Sequence, residues 1–513
     1  MASQEIITEF DDLYKKWKSI DFTNLYRENL GTQSLTSVKP IIENISKRLD
    51  KLNSSKNISS IISNNLLSSI NQFITNAISQ INGFININNP QFIAQKNQII
   101  QTLNSIHEQF NNIWPSVFAL IYETQIDDIE RIERINSLLN KMLSQPLNFN
   151  NEDFNQLIES YKIDGQYNVD KAFKDFRECM KRVYKINEEN LKETSNANSG
   201  VLGFLNRRST RLRKKEFLKR VNNQDPNKKY IMIYAEGDSW YLFPIFVTDI
   251  IDWLEKNDNY LIYSDAYGGD WVTNIIYEGQ YIEELSKLSP NVFLISGGGN
   301  DLVGHERLAV MVSRTNNQGQ KYNEQSTFKL PISNEEKQLI FKAQPYINKE
   351  FYAFIWILKA QYTMLFNGIY FNTDKFKDMI TITHGYAYPF PKKGVNFSFK
   401  RILQPLINKV LGSGKWLYTP LMMKGITDPE LQRAIVTTFI YEFNVMHYEI
   451  SQKFENVFYV DCRNIAKNQS DWYDELHLNN NKYKEIADCI KNIIDTKYIS
   501  NGNINKPVKC NWN

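Results

Sequence analysis

From Tyr230 onward the chain alternates short apolar runs with helical patterns, and this alternation limits its fold more than any other feature. Five runs read as strands: 230–235, 260–265, 291–296, 379–383 and 456–461. All five are rich in β-branched or aromatic residues, which suit a pleated buried surface. Helical patterns such as 245–255 and 271–288 lie between them. Strands that alternate with helices imply βαβ units and a parallel sheet covered on both faces. The expected fold class is therefore α/β for this half.

The first 200 residues carry a different pattern and predict an all-α helical domain. No charged residue occurs between Lys56 and Lys96. Within that gap Ile62, Leu66, Ile70, Phe73, Ile74, Ala77, Ile78 and Ile81 recur at steps of three and four, as on one apolar helix face. Asn-Ile-Asn-Asn-Pro at 86–90 breaks this helix. A second runs from Gln91 to about Trp114, where Pro115 is expected to end or kink it. Asp127, Asp128, Glu130, Arg131, Glu133 and Arg134 pair opposite charges three or four apart, as on a solvated face. The composition then shifts. Thr194–Gly200 reads as a linker, followed by a basic stretch from Arg207 to Arg220. The expected organisation is a helical domain over 1–200, a basic linker over 201–228 and an α/β domain over 229–513. The last carries a helical insertion at about 303–378.

At 513 residues the chain is long enough for two or three domains. A net charge of +3 gives no reason to expect nucleic acid as a partner. The N-terminus lacks a basic region followed by an apolar one, so no cleaved signal is expected. No run reaches the roughly eighteen apolar residues of a spanning helix. The four cysteines are scattered, which suggests a reducing compartment without a disulfide framework. A cytoplasmic location follows, although a protein exported without a cleaved signal would share this signature. Neither a metal site nor a cofactor is suggested by any His, Cys or carboxylate spacing.

The ends of the strands carry the chemistry. The first is followed by Gly237-Asp238-Ser239-Trp240, the second by Tyr267-Gly268-Gly269-Asp270, the third by Gly297-Gly298-Gly299-Asn300-Asp301. Near the C-terminus comes Asp471-Trp472-Tyr473-Asp474-Glu475-Leu476-His477. In open α/β sheets the active crevice lies outside the carboxyl ends of the strands. A serine there can act as a nucleophile once a base takes its proton, and a histidine titrates near neutrality.

These four blocks, in this order, resemble the SGNH (GDSL-like) hydrolases over about residues 230–495. The resemblance does not extend to the first 200 residues. It implies a three-layer α/β/α, flavodoxin-like domain that cleaves a carboxylic O-acyl ester. It further implies Ser239 as nucleophile, His477 as base and Asp474 as the partner that holds the useful tautomer. The implied oxyanion donors are the backbone N–H of Ser239, the backbone N–H of Gly269 and the side-chain amide of Asn300. Gly268 is the alternative to Gly269, and Asp471 the alternative to Asp474. Asp238 and Asp301 are expected to brace turns. Trp240, in place of the leucine of a GDSL sequence, is a candidate substrate contact, and His384, at the fourth strand end, is either a substrate contact or a structural residue. His107, His305 and His447 have no assigned chemistry.

The ester substrate could be a lipid, an acetylated glycan or a small metabolite. An acyltransferase would use the same acyl-enzyme with another acceptor. A third possibility is an interaction protein whose helical half does the work. The basic stretch 207–220, with Val201–Leu205 before it, would then meet anionic lipid headgroups or an acidic protein partner.

Overall fold

A computed structural model of the chain describes residues 12–20, 42–43, 45–47, 50, 74–79, 81, 90–185, 200–243, 247–314, 321–391 and 416–510. Contacts divide the chain into two compact units, Met1–Glu133 and Arg134–Asn513. In the first unit Trp17, Ile45, Ile74, Ala77, Ile81, Leu103 and Ile106 are buried. Only 74–79 and 81 of the uncharged helix expected over 62–81 fall within the described residues, and these are helical. Pro115 does not end the second helix, which runs as Pro90–Ser144.

The second unit is built on six strands: β1 (Ile231–Gly237), β2 (Tyr260–Ser264), β3 (Val292–Ser296), β4 (Ile380–His384), β5 (Val457–Asp461) and β6 (Val508–Lys509). Their order across the sheet is β2-β1-β3-β4-β5-β6, and every pairing is parallel. Every residue of β3, β4 and β5 is buried. This burial explains why these strands read as near-continuous apolar runs rather than as alternating ones. The first five strands lie within two residues of their expected limits. β6 has no counterpart among the expected strands. The chain order reverses between β1 and β3, so the loops after these two strands diverge and leave a crevice at their carboxyl ends.

The described helices include α1 (Val169–Tyr184), α2 (Gly200–Asn222), α3 (Lys349–Tyr370), α4 (Pro429–Lys453) and α5 (Asn480–Tyr498). Helix α3 packs against both α1 and α4, and α4 lies against β4 and β5. The helical pattern expected over 271–288 divides at Gly279 into Val272–Glu278 and Gln280–Leu288.

Two expected boundaries need correction. The stretch 1–200 is neither one domain nor wholly helical. Residues from Arg134 onward belong with the sheet, because Ile135, Leu138, Leu139 and Met142 join the same apolar core as the strands. A small antiparallel hairpin pairs Lys162–Ile163 with Gln166–Tyr167.

The second correction concerns 201–228, which is no linker over its first part. Helix α2 packs along β2. Several of its cations are engaged within the fold. Arg213 donates to both oxygens of Asp249 at 2.7 and 2.8 Å, to Asp252 at 2.6 Å and to the carbonyl of Tyr241 at 2.6 Å. Lys214 pairs with Asp265 at 2.5 Å, and Arg220 donates to the carbonyl of Glu255 at 2.7 Å.

The cysteines also depart from expectation. Cys489 and Cys510 form a disulfide that ties α5 to the residue after β6. Cys179 and Cys462 are buried and free. Among the described residues, no helix is long and apolar enough to cross a membrane.

Arg213 and Asp249 are both almost fully buried, so removing the cation leaves an uncompensated charge in the interior. Arg213→Ala is expected to lower unfolding free energy by about 3–5 kcal/mol. Urea denaturation followed by circular dichroism checks this value.

Candidate active site

The turn after β1 is set by two local features. Gly237 must be small, since a Cβ there would lie 2.6 Å from the carbonyl oxygen of Ser296 on β3. Asp238 is 2% exposed, and its carboxylate receives three hydrogen bonds. They come from the backbone N–H of Trp240 at 3.0 Å, the hydroxyl of Ser296 at 3.0 Å and the hydroxyl of Tyr386 at 2.5 Å. The Tyr386 hydroxyl also accepts from the backbone N–H of Gly299 at 3.2 Å. One carboxylate thus joins the ends of β1 and β3 to the segment after β4. Asp238 braces the turn that presents Ser239, as expected.

The C-terminal block arrives at the same edge. Trp472 and Leu478 form an antiparallel bridge, and the backbone N–H of Tyr473 donates to the carbonyl of His477 at 2.7 Å. The closed loop between them places Asp474 against His477. The ring Nδ1 of His477 lies 2.9 and 2.8 Å from the two oxygens of Asp474. Its Nε2 lies 2.8 Å from Ser239 Oγ. Asp474 Oδ1 also accepts from the backbone N–H groups of Leu476 and His477, each at 2.8 Å. Burial raises the Asp474 carboxyl, but the charge and hydrogen bonding of His477, with those two N–H groups, outweigh it and leave the group lowered. A carboxylate held ionised in this way fixes the ring with its proton on Nδ1, so Nε2 faces the serine as acceptor.

Asp471 does not meet the histidine. Its carboxylate receives the backbone N–H groups of Lys467 and Asn468 at 3.0 and 2.8 Å, which fixes the start of the loop.

Of the expected oxyanion donors, Ser239 and Asn300 line a common cleft. Asn300 Nδ2 donates to the carbonyl of Asp270 at 2.9 Å, a bond that orients its amide. Gly269 sits in the turn after β2 at φ +90°, a conformation that favours glycine, and is not among the cleft-lining residues. The neighbouring Gly268 accepts from Asn206 through its carbonyl at 2.9 Å. Asp301 receives the N–H of Val272 at 2.9 Å and the hydroxyl of Thr273 at 3.1 Å, a bracing role.

Trp240 lines the cleft and donates its indole N–H to the carbonyl of Leu476 at 3.1 Å. It therefore holds the loop that carries His477 as well as forming a wall. His384 does not line the cleft. It is buried, stacks on Trp240 with ring centroids 5.3 Å apart, and has Nδ1 2.8 Å from the carbonyl of Gly385. Its expected part in substrate contact is corrected to support of the Trp240 wall. Burial lowers the pKa of this ring and, more strongly, of His447. His447 Nδ1 lies 3.1 Å from the hydroxyl of Thr383.

Three contributing residues are not apparent from the sequence. Phe243 stacks on the His477 ring, with centroids 3.7 Å apart. Its backbone N–H donates to Asp249 at 3.1 Å, and Asp249 is the partner of Arg213. Tyr386 secures Asp238. Glu475, inside the C-terminal block, accepts the backbone N–H groups of Trp416, Leu417 and Tyr418 at 3.1, 3.2 and 2.9 Å. Leu417 lines the cleft, so this carboxylate fixes part of its wall.

The cleft is narrow, with a volume of about 50 Å³. Asp238, Ser239, Asn300 and Tyr386 supply its polar groups, and the rest of its walls are largely apolar. Val436, Phe439, Ile440 and Phe443 recur at helical spacing along α4, and Leu302, Leu308 and Leu417 complete the walls. Among the described residues, no group of three or more His, Cys, Asp or Glu side chains is placed to hold a metal ion.

No protein-family model and no curated protein matches the chain. The chemistry must be argued from the side chains.

Tyr386→Phe removes one of the three donors to a buried carboxylate. It is expected to destabilise the chain by about 1.5–3 kcal/mol, the usual range for a hydrogen bond to a charged group. The shift of the urea midpoint relative to the unaltered chain measures the loss.

Proposed function

We propose that the second unit is a serine ester hydrolase of the SGNH type, acting on esters of aliphatic acids. The observation that carries this reading is the unbroken line from Asp474 through His477 to Ser239 Oγ, which opens on an apolar cleft. The strand order β2-β1-β3-β4-β5 supports it, since this is the flavodoxin-like order with the crevice at the switch between β1 and β3.

In this mechanism His477 Nε2 takes the proton of Ser239 as Oγ attacks the ester carbonyl. The tetrahedral oxyanion is met by the backbone N–H of Ser239 and the amide of Asn300, the two expected donors that line the cleft. Loss of one such donor costs about 100- to 1,000-fold in rate. His477 returns its proton to the departing alcohol, which leaves an acyl group on Ser239. Water, deprotonated by the same ring, then releases the acid and restores the serine. Asp474 orients the ring and stabilises its cation, and is not itself protonated.

The walls of the cleft favour the acyl side of the substrate. A sugar would need several hydrogen-bonding side chains, whereas beyond Ser239 and Asn300 this cleft offers Asp238 and Tyr386, which are bonded to each other, and the rings of Trp240 and Trp472 among leucine, valine, isoleucine and phenylalanine. Each methylene buried there is worth about 0.8 kcal/mol, or roughly fourfold in kcat/KM. An acetylated glycan is the less favoured substrate on this ground.

Ser239→Ala is expected to abolish hydrolysis of p-nitrophenyl octanoate while leaving the thermal midpoint close to that of the unaltered chain. Undiminished turnover in that variant removes the assignment. Asp474→Asn is expected to lower kcat about 10,000-fold, since the ring then loses its useful tautomer. A series of acetate, butyrate, octanoate and dodecanoate esters should show kcat/KM rising with length until the cleft is full. A flat series, or one that favours acetate, rejects the acyl-chain assignment and leaves the serine mechanism standing.

A further inference from the structure

Helix α4 faces two cavities. One is the apolar cleft beside Ser239. The other is lined by Glu442, Val445, Met446 and Glu449, on a different face of the same helix, and has a volume of about 380 Å³. Helix α3 supplies Tyr352, Trp356 and Lys359 to it, again at steps of three and four. The segment before Asn334 supplies Lys321 and Lys329.

The cavity gathers three lysines and two glutamates. Lys321 pairs with Glu442 at 2.5 Å. Glu449 is shared, since one of its oxygens meets Lys329 and the other lies 2.9 Å from Lys359. Three ammonium groups therefore face two carboxylates. Lys359 is buried and donates also to Asn151 at 3.0 Å. Its ammonium lies 4.7 Å from the centre of the Trp356 ring. Burial first, and then the neighbouring Lys329, Lys321 and Lys453, hold its pKa down at about 7. Without an anion the cavity sheds the third charge through this lowered pKa, and an anion placed among the three amines would let Lys359 stay protonated. Tyr322, Tyr352 and Trp356 supply aromatic parts of the wall.

We propose that this cavity binds a small molecule that carries a phosphate or carboxylate on a flat ring. The oxyanion meets Lys321, Lys329 and Lys359, and the ring lies against Tyr352 and Trp356. Two elements make the site specific rather than a general basic patch. Lys359 is fixed by Asn151 and Glu449, and Trp356 is fixed by donation of its indole N–H to the carbonyl of Pro146 at 3.1 Å. The proposal does not rest on the ester chemistry, because no residue of this cavity belongs to the Ser239 cleft.

Isothermal titration of the full chain with phenyl phosphate, benzoate and inorganic phosphate, at low ionic strength, tests it. Phenyl phosphate or benzoate is expected to bind, and comparison of the two separates phosphate from carboxylate as the preferred head. Inorganic phosphate is expected to bind about tenfold or more weakly, because it lacks the ring contact. Lys359→Met and, separately, Lys321→Gln are expected to weaken binding of the ring compound about tenfold or more, while Lys359→Arg retains it. Absence of binding for all three compounds to the unaltered chain overturns the proposal, whatever the variants do. Undiminished binding in both Lys359→Met and Lys321→Gln overturns it as well.

Discussion

The carboxylate of Asp238 is the constraint on which the site depends. It lies at the carboxyl end of β1, nearly out of reach of water, and is held by donors from its own turn, from β3 and from the segment after β4. A buried ionised group without such partners would be prohibitively costly, so the three segments must meet for the group to be there at all. Their meeting fixes the turn that presents Ser239. It also brings Gly299 and Asn300 beside it, since Tyr386 receives the Gly299 N–H with the same hydroxyl that serves Asp238. The parallel sheet supplies the edge, and Asp238 fixes the loops upon it.

His477 is positioned by a second set of contacts, and these reach into segments outside the site. Trp240 holds the carbonyl of Leu476, and Phe243 covers the ring of His477. Phe243 is fixed in turn by Asp249, whose charge is balanced by Arg213 of α2. The helix that reads as a basic spacer is therefore part of the support for the histidine. Cations engaged in this way, with Lys214 on Asp265 and Arg220 on a carbonyl, weaken the case for a lipid-binding stretch over 207–220.

Much of the sheet is legible in the sequence because its strands are buried on both faces and so carry unbroken apolar runs. β6 is not legible, since two residues at an edge leave no pattern to detect. The pairing of Cys489 with Cys510 depends on α5 lying near β6, which no spacing announces. The boundary at Arg134 does leave a signal: Ile135, Leu138, Leu139 and Met142 keep a helical period just after a charged face. At the site, Ser239, Asp474 and His477 are legible as residue types in ordered blocks, and the structure brings them within hydrogen-bond distance. Tyr386 stands two residues after His384, in a run whose histidine is the more conspicuous group. Phe243 and Glu475 act through stacking and through backbone N–H groups of distant segments, which depend on the folded arrangement alone.

The central claim is that Ser239 is activated by His477. Intact-mass spectrometry after exposure to a fluorophosphonate measures this directly, because the reagent phosphonylates a serine only where a base has made its oxygen nucleophilic. The account predicts one adduct per chain, mapped to the peptide that contains Ser239, and none in a folded His477→Ala variant. Absence of an adduct on the unaltered chain, or labelling of Ser239 at the same rate without His477, would contradict it.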